Sequence, residues 1–127
     1  MGFVLVETEL RALTGTQAGF RGEFLVDTGS IDCMAPGDQL LAAGIVPRGT
    51  RSYEVANDGK VEFEYGFAIV QFAGAETVTQ VIFGPAGVEP ILGVVALENA
   101  GMTVDPTSNS LNRLQSKRLK GTFGVGV

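Results

Sequence analysis

One stretch of the chain concentrates chemistry: Phe24-Leu25-Val26, then Asp27-Thr28-Gly29-Ser30. Three apolar residues predict a buried strand that runs straight into a carboxylate. An ionised carboxylate at such a place is costly unless it is paired or hydrogen-bonded. A chain that keeps one there often uses it. Gly29 can bring a backbone N–H close to the acid, and Ser30 can offer it a hydroxyl.

Composition narrows what this acid could do. The sequence has 127 residues, no His and one Cys, Cys33. Without His, no Ser-His or Cys-His mechanism can be built within the chain, and the commonest transition-metal ligand is missing. A single Cys excludes an internal disulfide and a Cys-based zinc site. Glu62 and Glu64 have no further carboxylates at metal-loop spacing, so they predict a solvated face and no metal site. We expect no cofactor.

Charge is unevenly placed. Up to residue 112 there are five basic residues against fourteen acids. The last fifteen residues hold four basic ones, Arg113, Lys117, Arg118 and Lys120, and no acid. An acidic body argues against a nucleic-acid partner, and the basic end reads as a solvated tail. No apolar run reaches the roughly 20 residues of a membrane span. The start MGFVLVETELRAL lacks a basic leader region, so a cytoplasmic protein is expected.

The elements that must position Asp27 follow from periodicity. Val4, Val6, Thr8, Leu10 and Ala12 alternate with Glu7, Glu9 and Arg11, which predicts a half-buried strand. A turn over 14–19 leads into a second strand over 20–26, forming a hairpin. Asp38 to Ala43 predicts a short helix stopped at Gly44, with Leu40 and Leu41 in the core. Two β-rich runs, 51–56 and 60–73, flank Asn57-Asp58-Gly59, a hairpin turn signal. Gly66 permits a bend or bulge in the second run, and Tyr53 and Tyr65 read as strand packing. Further strands are expected over 76–83, 102–104 and 110–114, with a second helix from Val94 ending at Gly101. The fold class is all-β with two short helices, in a closed or nearly closed barrel-like domain. One domain over residues 1–112 and a basic tail over 113–127 account for the whole chain.

This layout resembles the single-domain retropepsin-like aspartic proteases, particularly the bacterial and archaeal members. Three features carry the resemblance, in order: Leu25-Val26-Asp27-Thr28-Gly29-Ser30, the hairpin around Ala56-Asn57-Asp58-Gly59, and Ile91-Leu92-Gly93 followed by a helix. Together they cover about residues 3–112. The resemblance implies an aspartic endopeptidase in which two carboxylates share one proton. Two such groups close together cannot both ionise, so their titrations split. One chain supplies one Asp-Thr-Gly, since Val104-Asp105-Pro106 lacks the Thr-Gly continuation. The dyad must then come from Asp27 of two subunits, which makes the homodimer a catalytic requirement.

The resemblance also assigns neighbours. Asp27, Thr28 and Gly29 form the catalytic loop, with Thr28 able to hydrogen-bond across the dimer axis. Ser30 supports Asp27 and implies an acid-side optimum. Ile91, Leu92 and Gly93 stiffen the loop. Val55, Ala56, Asn57, Asp58 and Gly59 form a flap that closes over an extended peptide or protein substrate. The flap departs from the viral pattern, with one Gly and with charged Asp58 and Lys60 at its tip.

Other readings stand beside this one. Asp27 could be a strand-end turn residue. Asp32 could read a substrate side chain or be a solvated turn acid. Cys33 could be a small buried filler or a redox switch. The chain as a whole could be a catalytically silent module of the same fold, for peptide binding or dimerisation, or an unrelated β scaffold.

Overall fold

The computed structural model describes residues 3–117 and 119–121. It is mostly β, with two short helices. In chain order the elements are β1 (Leu5–Arg11), β2 (Phe20–Asp27), β3 (Cys33–Pro36), α1 (Gly37–Ala42), β4 (Gly49–Val55), β5 (Gly59–Phe72), β6 (Ala75–Gly84), β7 (Ile91–Gly93), α2 (Val94–Asn99), β8 (Met102–Asp105) and β9 (Ser110–Arg113). A three-residue turn over Ala56–Asp58 joins β4 to β5.

β1 and β2 form the expected antiparallel hairpin, with Leu10 opposite Phe20 and Leu5 opposite Leu25. The seven-stranded sheet runs β1-β2-β7-β3-β6-β5-β4, and β1 pairs a second time with β5. The hydrogen-bonded pairings therefore pass from β1 through β2, β7, β3, β6 and β5 back to β1. β8 and β9 form a separate two-stranded sheet.

The core lies between these strands. Leu10, Phe24, Cys33, Ala35, Leu40, Val70, Val81 and Leu92 are fully buried. Cys33 is thus the small filler that one sequence reading gave. Burial of such side chains supplies most of the driving force for a fold of this size. Glu62 and Glu64 are exposed, as their alternation with Val61, Phe63 and Tyr65 requires. The two helices end where expected, at Gly44 and Gly101, both with positive φ.

Two local expectations are corrected. Leu40 is buried but Leu41 is 57% exposed, because consecutive residues on a six-residue helix face different ways. Gly66 makes no bulge: the β5–β6 register is unbroken from Tyr65–Ile82 to Phe72–Ala75. A side chain at Gly66 would meet the Val46 carbonyl oxygen at 2.7 Å, so this glycine serves close backbone approach.

The long β5 has two different halves. Its first half, to Tyr65, pairs with β4. Its second half, from Tyr65, pairs with β6, and from Ile69 also with β1. β4 is an edge strand, largely exposed. The β4–β5 hairpin therefore projects from the body as an arm. Its tip holds Asn57 and Asp58 with φ of 72° and 60°, a left-handed conformation that Asn and Asp tolerate better than other side-chain-bearing residues.

Of the basic tail, Leu114 donates its N–H to the Gly101 carbonyl at 2.8 Å, and the Lys117 ammonium donates to the Asn99 carbonyl at 2.9 Å. A cation at a helix C-terminus is favourably placed against the exposed carbonyls. Arg118 and residues 122–127 of the predicted tail lie outside the described residues.

Candidate active site

Asp27 is the last residue of β2, and three strands decide where it points. β2 lies between β1 and β7. Against β7 the pairing is parallel, with Leu25 opposite Ile91, Val26 opposite Leu92 and Asp27 opposite Gly93. The Asp-Thr-Gly-Ser and Ile-Leu-Gly segments, more than sixty residues apart in sequence, are thus adjacent strand ends.

The carboxylate is held from its own loop. The Gly29 N–H donates to Asp27 Oδ1 at 3.0 Å and the Ser30 hydroxyl donates to Oδ2 at 3.2 Å. The Ser30 N–H closes the turn on the Asp27 carbonyl at 3.1 Å. Both donors are those the sequence reading expected. Asp27 remains half-buried and Thr28 and Gly29 are exposed, so the acid is accessible from outside the loop. These bonds orient the acid while leaving it open to solvent or to a partner.

The Ile91-Leu92-Gly93 segment and the start of α2 lie directly against the loop. Leu92 is fully buried beneath it. The Val94 N–H donates to the Ser30 carbonyl at 2.8 Å and the Val95 N–H to the Ile31 carbonyl at 3.2 Å. The first turn of α2 therefore satisfies its free N–H groups on the loop that carries Asp27. Gly93 is where the two backbones touch: a Cβ there would stand 2.5 Å from the Asp32 carbonyl oxygen.

Above the loop lies a cleft of about 490 Å³. Gly29, Ser30 and Ile31 line one side, Tyr53, Val55 and Phe63 the other, and Ile82 and Ile91 the floor. Residues of the hairpin arm and of the loop thus line the same cleft. Val55 borders the cleft, while Ala56, Asn57 and Asp58 form the exposed tip beyond it and Gly59 begins the returning strand. A groove of this kind, apolar with a few polar groups, suits an extended chain segment.

Asp32 is neither a solvated turn acid nor free to read a ligand with both oxygens. Its residue is 9% exposed. Its Oδ2 accepts the Tyr53 hydroxyl at 2.7 Å and the Gln80 side-chain N–H at 2.8 Å. Tyr53 packs on Phe63, with ring centroids 6.4 Å apart, but its hydroxyl does more than pack. The strand pattern signalled the ring's burial and carried no sign of the hydroxyl's partner, which is twenty-one residues away. Tyr65 lies under the Arg51 guanidinium, 4.4 Å from ring centroid to Cζ. Asp105 caps the β8–β9 turn, accepting the Thr107 N–H at 2.9 Å, which holds its carboxyl below the usual range. It is a turn acid, separate from any dyad.

Two protons, one on the buried Cys33 and one on the half-buried Tyr53, link this region to alkaline stability. Burial pushes the Tyr53 phenol up to about 12, aided by its bond to Asp32, and burial pushes the Cys33 thiol up to about 11. Both groups hold their protons more tightly folded than unfolded, where their usual values are 10.0 and 9.0. The stability this contributes is complete below pH 9 and is lost as pH rises toward 11 and then 12. Urea unfolding measured from pH 8 to 12 should show that decline. Cys33→Ala should flatten its lower part and Tyr53→Phe its upper part.

No protein-family model matches the sequence, and comparison with curated proteins returns no match. Among the described residues no group of three or more Cys, Asp or Glu could hold a metal ion, and no helix is long and apolar enough to cross a membrane.

Proposed function

We propose that the chain is a homodimeric aspartic endopeptidase of the retropepsin-like type, a hydrolase whose dyad forms from Asp27 of two copies. The observation that carries this reading is the combined geometry of the loop. A half-buried carboxylate is oriented by the Gly29 N–H and the Ser30 hydroxyl, its strand end paired with Gly93, and those same two loop residues border a cleft lined on its other side by the hairpin. We read the circuit of strand pairings as the closed barrel-like form of that fold.

The chemistry follows from one shared proton. The ionised Asp27 takes a proton from water as the water oxygen bonds to the peptide carbonyl carbon. The protonated Asp27 of the other copy donates its proton to the carbonyl oxygen, which gives a neutral gem-diol. The diol then returns a proton to one carboxylate, and the amide nitrogen takes a proton from the other. The C–N bond breaks, releasing a carboxylic acid and an amine. The dyad ends with one proton, ready for the next water. Its titration belongs to the pair. Ser30 and Gly29 keep the acids from swinging away between steps.

A second copy has a face to meet. Phe3, Val4, Val26, Thr28, Val104 and Pro106 surround a second hollow, of about 500 Å³, that shares no lining residue with the cleft. Phe3 is 78% exposed and Leu5, the first residue of β1, 51%, an apolar surface that no described residue covers. Thr28 at this face is the residue expected to bond across the axis. The single buried Cys suits a reducing compartment, and we place the protein in the cytoplasm.

The test is subunit mixing. Wild-type chain is mixed with an equal amount of Asp27→Asn chain and re-equilibrated, and cleavage of a peptide library is measured at acid pH. If each site needs both acids, activity per total protein falls to about one quarter. A fall to one half means that each chain works alone and overturns the shared dyad. The charged tip, Asp58 and Lys60 with one glycine, favours a second reading, a silent peptide-binding module of the same fold. Dimerisation with peptide binding and no cleavage by the wild type would select it.

A further inference from the structure

The side chains at the root of the hairpin arm form a closed polar cluster drawn from three elements. Tyr53 comes from β4, Asp32 from the segment between the catalytic loop and β3, and Gln80 from β6. The Tyr53 hydroxyl donates to Asp32 Oδ2 at 2.7 Å. Gln80 Nε2 donates to the same oxygen at 2.8 Å and to the Tyr53 oxygen at 3.3 Å. The Gln80 carbonyl oxygen in turn accepts from Arg51 Nε at 3.5 Å, a second residue of β4. Every donor and acceptor in this ring is consistently oriented.

The position of the cluster matters more than its existence. β4 has one strand partner, β5, and its residues are mostly exposed. Up to Tyr65, β5 is paired only with β4. Among the described residues, the arm beyond Tyr65 therefore has no backbone hydrogen bonds to the body of the protein. The Tyr53 hydroxyl on the Asp32 carboxylate supplies one from a side chain, just across the cleft from Ser30. Hydrogen bonds to a charged acceptor are among the stronger ones a protein makes.

We propose that Tyr53, Asp32 and Gln80 form a latch that holds the hairpin arm against the catalytic loop and sets the width of the cleft. Gln80 lies on the central strand pair and is the fixed point. Asp32 transmits its position to the loop two residues from Ser30. Tyr53 is the moving part, and opening the arm must break its bond. The latch stands on geometry alone. Its consequence for turnover, that Tyr53 is a positioning residue, rests on the protease reading.

Hydrogen exchange on the intact protein tests the latch without reference to catalysis. Tyr53→Phe keeps the ring and its packing on Phe63 and removes the one hydroxyl. Amide exchange over residues 53–63 should speed up about tenfold, while amides of β2 and β6 keep wild-type rates. Asp32→Asn removes the charge at the other end, and the double variant should then exchange no faster than the faster single one. Unchanged exchange of the arm in Tyr53→Phe overturns the latch, as do effects of the two substitutions that simply add. A change spread over β2 and β6 also overturns it, since it marks general loosening. If the wild type cleaves peptide, Tyr53→Phe should raise KM several-fold with kcat changed less. An unaltered KM beside faster exchange removes the positioning role and leaves the latch intact.

Discussion

On the protease reading proposed above, Asp27→Asn should reduce peptide cleavage by about a thousandfold or more while leaving the fold and subunit association in place. The amide is close in size to the carboxylate and can still accept the Gly29 N–H now at 3.0 Å from Oδ1. Packing around β2 is therefore undisturbed. What disappears is the exchangeable proton: a pair of amides can neither take a proton from water nor pass one to the amine. The measurement is cleavage of a casein or peptide library at acid pH, with sedimentation and thermal unfolding in parallel. Activity that survives the substitution ends the protease reading. Loss of activity together with loss of the dimer would point to Asp27 as an interface residue first.

Gly93→Ala should destabilise the protein by about 2–3 kcal/mol and disturb the loop that carries Asp27. The added Cβ would lie 2.5 Å from the Asp32 carbonyl oxygen, 2.6 Å from its carbon and 2.7 Å from the Ile31 carbonyl oxygen. All three are backbone atoms, so no rotamer change relieves the overlap. The loop or β7 must move. Either movement strains the Val94 N–H bond to Ser30 and the Val95 N–H bond to Ile31. It also disturbs the parallel pairing of Asp27 with Gly93. Denaturant midpoints of the two proteins decide the matter. A variant as stable as its parent would mean that Gly93 is not the contact that seats the loop.

These two residues also show how legible the site was. Asp27 stood out because an ionised carboxylate at the end of an apolar strand is costly unless it is paired or hydrogen-bonded. Gly93 stood out only through a family resemblance, and its physical reason is a close approach that no one-dimensional pattern contains. The hairpin arm was legible because strand alternation and an Asn-Asp-Gly turn are local signals. Leu41 was misjudged because adjacent leucines look alike in composition but face opposite ways on one turn of helix. Gly66 was misjudged because a glycine in a strand signals either a bulge or a close contact, and only the neighbour decides which.

Asp32 and Tyr53 mark the limit most clearly. Each had a plausible local reading, a turn acid and a packed ring. Their hydrogen bond links residues from different elements, and strand order alone brings them together.

From the residue order alone came the β-rich class, the placement of most strands, both short helices and the candidate acid with its Gly and Ser donors. Those features depend on alternation, turn chemistry and contacts within three or four residues. Tertiary structure alone decided which strand ends meet, that Gly93 is the seat of the loop, and that a tyrosine from the arm is tied to a buried carboxylate. Such contacts depend on how distant segments are brought together in space, and a side chain's chemistry does not announce a partner it meets only after the chain has folded.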